Sequence, residues 1–190
     1  IDVGVWNGTP WLYNAFPKAR FELIDPLPES ESAMEAWKDR IDFGFHRYAL
    51  GGAAGELELK VPLRGGRKLY NMTSASDRAA ENVARQKVTD FEVVKAPVAR
   101  LDDIAAGFDG PLGIKIDTEG HELDVIAGAP ETLQRCDFAV LEISMQKRFE
   151  GGYRFSEAIA AMAAHGFEPV EIMSGCGRAP LIADFLFTKA

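Results

Sequence analysis

The residues of this chain with the clearest capacity for chemistry lie in "IKIDTEGHELDVIAGA", from Ile114 to Ala129. Asp117, Glu119, His121 and Glu122 follow directly on the apolar run "PLGIKI", which reads as a buried strand. Glu142 ends a second run of this kind, "DFAVLEIS". Carboxylates and an imidazole at strand ends can accept a proton from a hydroxyl, orient an acceptor or, with oxygen ligands such as Asp117 and Glu142, hold magnesium. Nothing in the spacing demands a metal, and none is expected. Plain structural roles also suit part of the set. Asp117 or Thr118 can cap the helix that follows, and Glu119 and Glu122 are favourable in its first turn.

A glycine-bearing turn comes earlier. "IDVGVWNG" runs from the tail of a strand into a loop holding Gly4 and Gly8, and the next strand, "ARFELID", closes at Asp25-Pro26. Glycines let a ligand approach the backbone, and a carboxylate at the end of the second strand can accept hydrogen bonds from two ribose hydroxyls. The turn lacks the three-glycine fingerprint of a pyrophosphate site, which favours a nucleoside over a dinucleotide. The same glycines are also compatible with nothing more than a tight strand-to-helix turn.

The elements that must position these groups follow from the apolar rhythm. "TPWLYNAF" starts a helix, with Thr9 as N-cap and Pro10 in its first position. "PESESAMEAWKDR" is an amphipathic helix, "IDFGFHRYAL" a third strand ending in Ala49-Leu50-Gly51, and "ELELKV" an alternating edge or hairpin strand. Residues 63–90, with "RGGRK", read as a long irregular segment with one helical turn, a candidate functional loop. "DFEVVKAPVAR" is extended, "LDDIAAGF" a short helix, and "HELDVIAGAPETLQRC" a helix interrupted at Gly128 and Pro130. A helix, "FSEAIAAMAAHG", and the strands "FEPVEI" and "ADFLFTKA" close the chain. Strands separated by helices pair in parallel through right-handed crossovers. The last two strands, joined only by a loop, can pair antiparallel. The expected fold is a single α/β domain over 1–190: a three-layer sandwich around a Rossmann-like, mostly parallel seven-stranded sheet with an antiparallel strand near one edge.

The 190 residues carry a formal net charge of −8. That argues against a nucleic-acid or anionic-membrane surface, since each needs a basic face. No apolar run approaches membrane-spanning length. Cys136 and Cys176 are far apart and belong to no motif, which suits reduced thiols and a cytoplasmic location. Position 1 falls inside a strand signal, so the natural chain is expected to start earlier.

Taken in order, "IDVGVWNG", "FELIDPLP", "YALGGAAGELEL", "ARLDDI", "IKIDTEGHELDVIAGA", "LEIS" and "DFLFTK" make the whole chain resemble the FkbM-type methyltransferases. These are class I enzymes that use S-adenosyl-L-methionine. The most specific element is the strand ending Lys-Ile-Asp followed by Glu-Gly-x-Glu, an apolar helix and Gly-Ala. The resemblance implies a donor over the first strand ends, touching Asp2, Gly4, Trp6, Asn7 and Gly8 of the turn, then Asp25, Pro26, Ala49, Leu50 and Asp117. It further implies that Asp117, Glu119, His121 and Glu142 surround the acceptor, a hydroxyl on a small-molecule or sugar-bearing compound. Trp6 departs from the family's Gly-Ala-Asn-x-Gly turn; it either covers the donor or takes up its space. Two rivals remain: a non-catalytic nucleoside-binding member of the fold, and an NAD-dependent oxidoreductase. The missing middle glycine and the lack of a Tyr-x-x-x-Lys pair speak against the second. The oligomeric state is not legible.

Overall fold

The computed structural model describes residues 1–174 and 180–190; Cys176 lies outside them. The chain begins with β1 (Asp2–Val3), α1 (Pro10–Ala15), β2 (Arg20–Ile24), α2 (Pro28–Met34) and β3 (Asp42–His46). It continues through β4 (Ala49–Leu50), β5 (Gly55–Arg64), β6 (Arg67–Lys68), α3 (Ala80–Gln86) and β7 (Asp90–Ala99). The second half holds α4 (Leu101–Ala105), β8 (Leu112–Ile116), α5 (Glu122–Ala127), α6 (Pro130–Arg135), β9 (Cys136–Ser144), α7 (Phe155–Ala164), β10 (Phe167–Ile172) and β11 (Ile182–Lys189).

The main sheet has seven strands in the order β10-β11-β9-β8-β1-β2-β3. β8, β1, β2 and β3 pair in parallel, as do β8 and β9, whereas β11 runs antiparallel to both of its neighbours. This is the expected architecture. After β3 the chain returns to the other side of β1, so the order reverses between β1 and β8, where open α/β sheets bind ligands. One face of the sheet packs Ile114, Ile116, Val125, Leu133, Leu141 and Met162 into the larger apolar cluster. The other packs Val5, Leu12, Tyr13, Phe21, Leu23 and Trp37.

Two expectations about elements are corrected. The third strand does not run from Ile41 to Leu50. It stops at His46, where the Tyr48 N–H turns back on the His46 carbonyl at 3.1 Å. Ala49–Leu50 instead pairs with β7 in a second sheet, ordered β4-β7-β5-β6, burying Ala49 beside Leu27, Leu59 and Ala96 and Leu50 against the larger apolar cluster. Residues 63–90 are also more regular than read. β5 extends to Arg64 and pairs with β7 over nine positions, Gly55 to Leu63, because both strands alternate apolar and polar residues. A 3-10 turn at Tyr70–Met72 and the helix α3 occupy the rest. Among the described residues no helix is long and apolar enough to cross a membrane.

Candidate active site

The carboxyl ends of β1, β2, β8 and β9 open onto one cavity of about 450 Å³, within the usual ligand-pocket range of roughly 300–1,000 Å³. Gly4, Trp6, Asn7, Gly8, Asp25, Pro26, Ala49, Leu50, Asp117, Glu119, His121 and Glu142 all line it. The sequence therefore selects twelve residues, from five separate segments, that the fold brings together.

Gly4 fixes the approach of the turn. Its φ is +74°, and a Cβ there would lie 1.7 Å from the Asp117 carbonyl oxygen. Only glycine lets the end of β1 lie against the end of β8 in this way. Trp6 also has a positive φ, +46°, which is unfavourable for a bulky residue. Its backbone N–H donates to Asp25 Oδ2 at 3.0 Å, and its ring stacks on Tyr70 with centroids 5.1 Å apart. Tyr70 in turn donates its hydroxyl to Glu29 at 3.1 Å. Asp25 also accepts the Leu27 N–H on Oδ1 at 3.0 Å. Burial pushes its carboxyl above the usual range, against those two N–H donors. Each carboxylate oxygen can still accept another hydrogen bond.

One donor contact is corrected. Asp2 does not reach the cavity: alternation along β1 turns its side chain beneath α1, where it is fully buried. There it accepts the Tyr13 hydroxyl at 2.8 Å and lies 3.4 Å from Lys115 Nζ.

The three carboxylates and the imidazole of the opening segment divide into separate roles. Asp117 lies at the end of β8, 3.3 Å from Lys115 Nζ, with 30 % of its side chain exposed. Glu119, also at positive φ (+55°), is gripped through Oε2 by two guanidinium groups: Arg78 at 2.9 Å, and Arg148. Arg148 also donates to Glu142 at 3.2 Å. Glu122 points inward, 1 % exposed. Its Oε1 accepts the N–H groups of Thr118 and Gly120 and the Thr118 hydroxyl, and its Oε2 accepts the Tyr153 hydroxyl. It closes the turn, so the structural reading holds for Glu122. His121 precedes α5 and pairs with Asp124 at 3.2 Å.

Burial, reinforced by the Asp117 and Glu119 charges and opposed by Arg148, pushes the Glu142 carboxyl up to about 8. Asp184 lies opposite Glu142 on β11 and also lines the cavity. Among the described residues no group of three or more His, Cys, Asp and Glu side chains is arranged to hold a metal ion.

Three site residues escape sequence reasoning. Lys115 carries a visible signal, a lysine between two isoleucines of a buried strand. Arg78 and Arg148 carry none, because each reaches the site from a separate segment.

A parallel sheet with a glycine turn after its first strand, an acid ending its second and a cavity over the switch point defines a Rossmann-like α/β protein with its candidate site at the usual ligand crevice. Residues 2–169 match the methyltransferase FkbM domain model, and the chain belongs to that family. Among solved structures it is similar to a methyltransferase FkbM from Methylobacillus flagellatus KT. That match has a TM-score of 0.55 and 15% identity over 98% of this chain and 42% of the other. It is also similar to the magnesium protoporphyrin IX methyltransferase ChlM from Synechocystis PCC 6803, a structure with bound SAM. Here the TM-score is 0.51 and the identity 10%, over 100% of this chain and 68% of that one. These likenesses are likenesses of fold. The chain spans less than half the length of the Methylobacillus protein. No curated protein matches it.

Proposed function

We propose that this domain transfers a methyl group from S-adenosyl-L-methionine to a hydroxyl of a small-molecule or sugar-bearing acceptor. The observation that carries the reading is convergence. The Gly4 turn, the acid after β2 and the carboxylates ending β8 and β9 face one cavity at the switch point.

The lining fits such a donor. Asp25 retains acceptor capacity for ribose hydroxyls, beside the apolar wall of Leu27, Ala49 and Leu50. Among the described residues, Asp25, Asp117 and Asp184 line the cavity with Lys115, while Glu119 and Glu142 are held by Arg78 and Arg148, a balance that still suits a cation. When bound, the donor supplies a methyl group on a positively charged sulfur. The chain's own residues align the acceptor, exclude water and take up its proton. Asp117 and Glu142 are the two carboxylates placed for that proton. Glu142, with its carboxyl raised to about 8, is poised near neutral pH, where general bases work best. Glu119 serves instead to hold Arg148 against Glu142.

Calorimetric titration with S-adenosylmethionine, S-adenosylhomocysteine and NAD tests the donor. The first two should bind and NAD should not. Asp25→Ala, checked for folding by thermal melting, should weaken the adenosyl ligands by about 1.5–3 kcal/mol, the range for hydrogen bonds to a charged group. Unchanged affinity in a folded variant would contradict the assignment.

A further inference from the structure

Lys115 stands in the middle of an apolar strand, between Ile114 and Ile116, both fully buried. Strand alternation sends the two isoleucines into the larger core and Lys115 to the opposite face. An ammonium there is tolerated only if it is paired. Its register partner on β1 is Asp2, 3.4 Å away. Asp2 is itself fully buried, and its other oxygen accepts the Tyr13 hydroxyl. That pairing alone balances the lysine. Lys115 nevertheless reaches a second carboxylate, Asp117 Oδ2 at 3.3 Å, and the Gly4 carbonyl at 3.4 Å. Its ammonium holds its proton more tightly than usual: burial acts against this, but the Asp117 and Asp2 charges outweigh it. The group is thus one cation shared by two anions, and the less buried anion, Asp117, is the one that faces the cavity.

We infer that Lys115 is a positioning residue of the transfer site. It holds Asp117 by one oxygen, ties that carboxylate to the donor turn through the Gly4 carbonyl, and leaves one uncompensated negative charge facing the donor's sulfonium. The inference rests on the reading of the cavity as a methyl-transfer site. It gives Lys115 a function that a core ion pair would lack. The lysine sets both the charge seen by the reacting sulfur and the geometry between the donor turn and the acceptor's carboxylate.

The readout is the ratio of affinities for S-adenosylmethionine, a cation at sulfur, and S-adenosylhomocysteine, neutral there. General loosening of the fold weakens both and leaves the ratio alone. Lys115→Met should shift the ratio toward the cation by a factor on the order of 3–10, as expected for one charge in a partly screened site. Asp117→Asn should shift it the other way by a similar factor, and Lys115→Arg should leave it within about twofold, since the charge is kept. If Lys115→Met does not fold, the pair Asp2→Asn with Lys115→Met removes one charge of each sign. Its ratio should return to the wild-type value, while Asp117→Asn still moves it. Binding of both ligands with a ratio that neither Lys115→Met nor Asp117→Asn changes would overturn the inference and leave the donor reading standing. Failure of either ligand to bind the wild-type chain would overturn both.

Discussion

Two buried charge groups flank the end of β8, and they are built on opposite plans. In Asp2–Lys115–Asp117, one cation serves two carboxylates. In Arg78–Glu119–Arg148–Glu142, two guanidiniums serve two carboxylates, with Arg148 as the bridge. The first group leaves a surplus negative charge beside the Gly4 turn. The second is balanced when Glu142 is ionised, and it is also a clasp. Arg78 binds the Met72 carbonyl at 2.5 Å, Ala79 donates to the Arg148 carbonyl at 2.8 Å, and Ser74 Oγ donates to the Glu119 carbonyl at 2.6 Å. These bonds fasten residues 72–79, part of the cavity wall, onto the end of the sheet. Acids two residues apart in sequence, Asp117 and Glu119, thus do different work: one presents charge to the cavity and the other locks its wall.

The largest expected effect breaks the clasp. Glu119→Ala removes the shared partner of two mostly buried guanidiniums and should cost about 3–5 kcal/mol of stability, as for other broken buried ion pairs. Urea unfolding measures it; a loss under about 1 kcal/mol would show that the clasp is not a main support. Asp117→Asn, in the other group, should be far milder, because its carboxylate is partly exposed and Lys115 keeps Asp2.

A smaller effect is read through pH. Glu142 has a folded-state pKa of about 8 against an ordinary value of 4.5. Between these values the folded chain binds more protons than the unfolded chain, so this group makes stability fall as pH rises from about 4.5 to about 8. The slope from one such proton is at most about 1.4 kcal/mol per pH unit. Glu142→Gln should flatten that part of the profile; melting curves at several pH values in this window check it, and parallel profiles for the two proteins would contradict it.

The smallest effect concerns Trp6. Trp6→Asn relieves the left-handed backbone strain, since Asn tolerates that region, but loses the stack on Tyr70. The terms oppose, and the net change should stay within about 1 kcal/mol. Wild-type tryptophan fluorescence should respond to S-adenosylhomocysteine, and the variant should lose most of that response. A variant that keeps it would place Trp6 away from the donor.

What the sequence made legible follows the range of the interactions. The βαβ rhythm, the antiparallel final pair and the strand ends at Asp25 and Asp117 depend on local periodicity and short connections, and these appear as read. The second sheet does not, because Gly55–Leu63 finds its partner at Asp90–Val98 across an intervening helix, and only that pairing draws Ala49–Leu50 away from β3. Asp2 matched a family turn, yet side-chain alternation in a two-residue strand buries it under Tyr13. Arg78 and Arg148 were invisible because an ion pair between distant segments has no spacing to read. Lys115 could have been found, since an unpaired ammonium in an apolar strand requires a partner.

The central claim is that an adenosyl donor lies across the ends of β1 and β2 with its sulfur toward Asp117. A crystal structure with S-adenosylhomocysteine tests it directly. The ribose should lie on Asp25, the adenine beside Ala49 and Leu50, and the sulfur should face Asp117 and Glu142 with room for an acceptor between. A ligand seated elsewhere, or a sulfur turned away from those carboxylates, would contradict it.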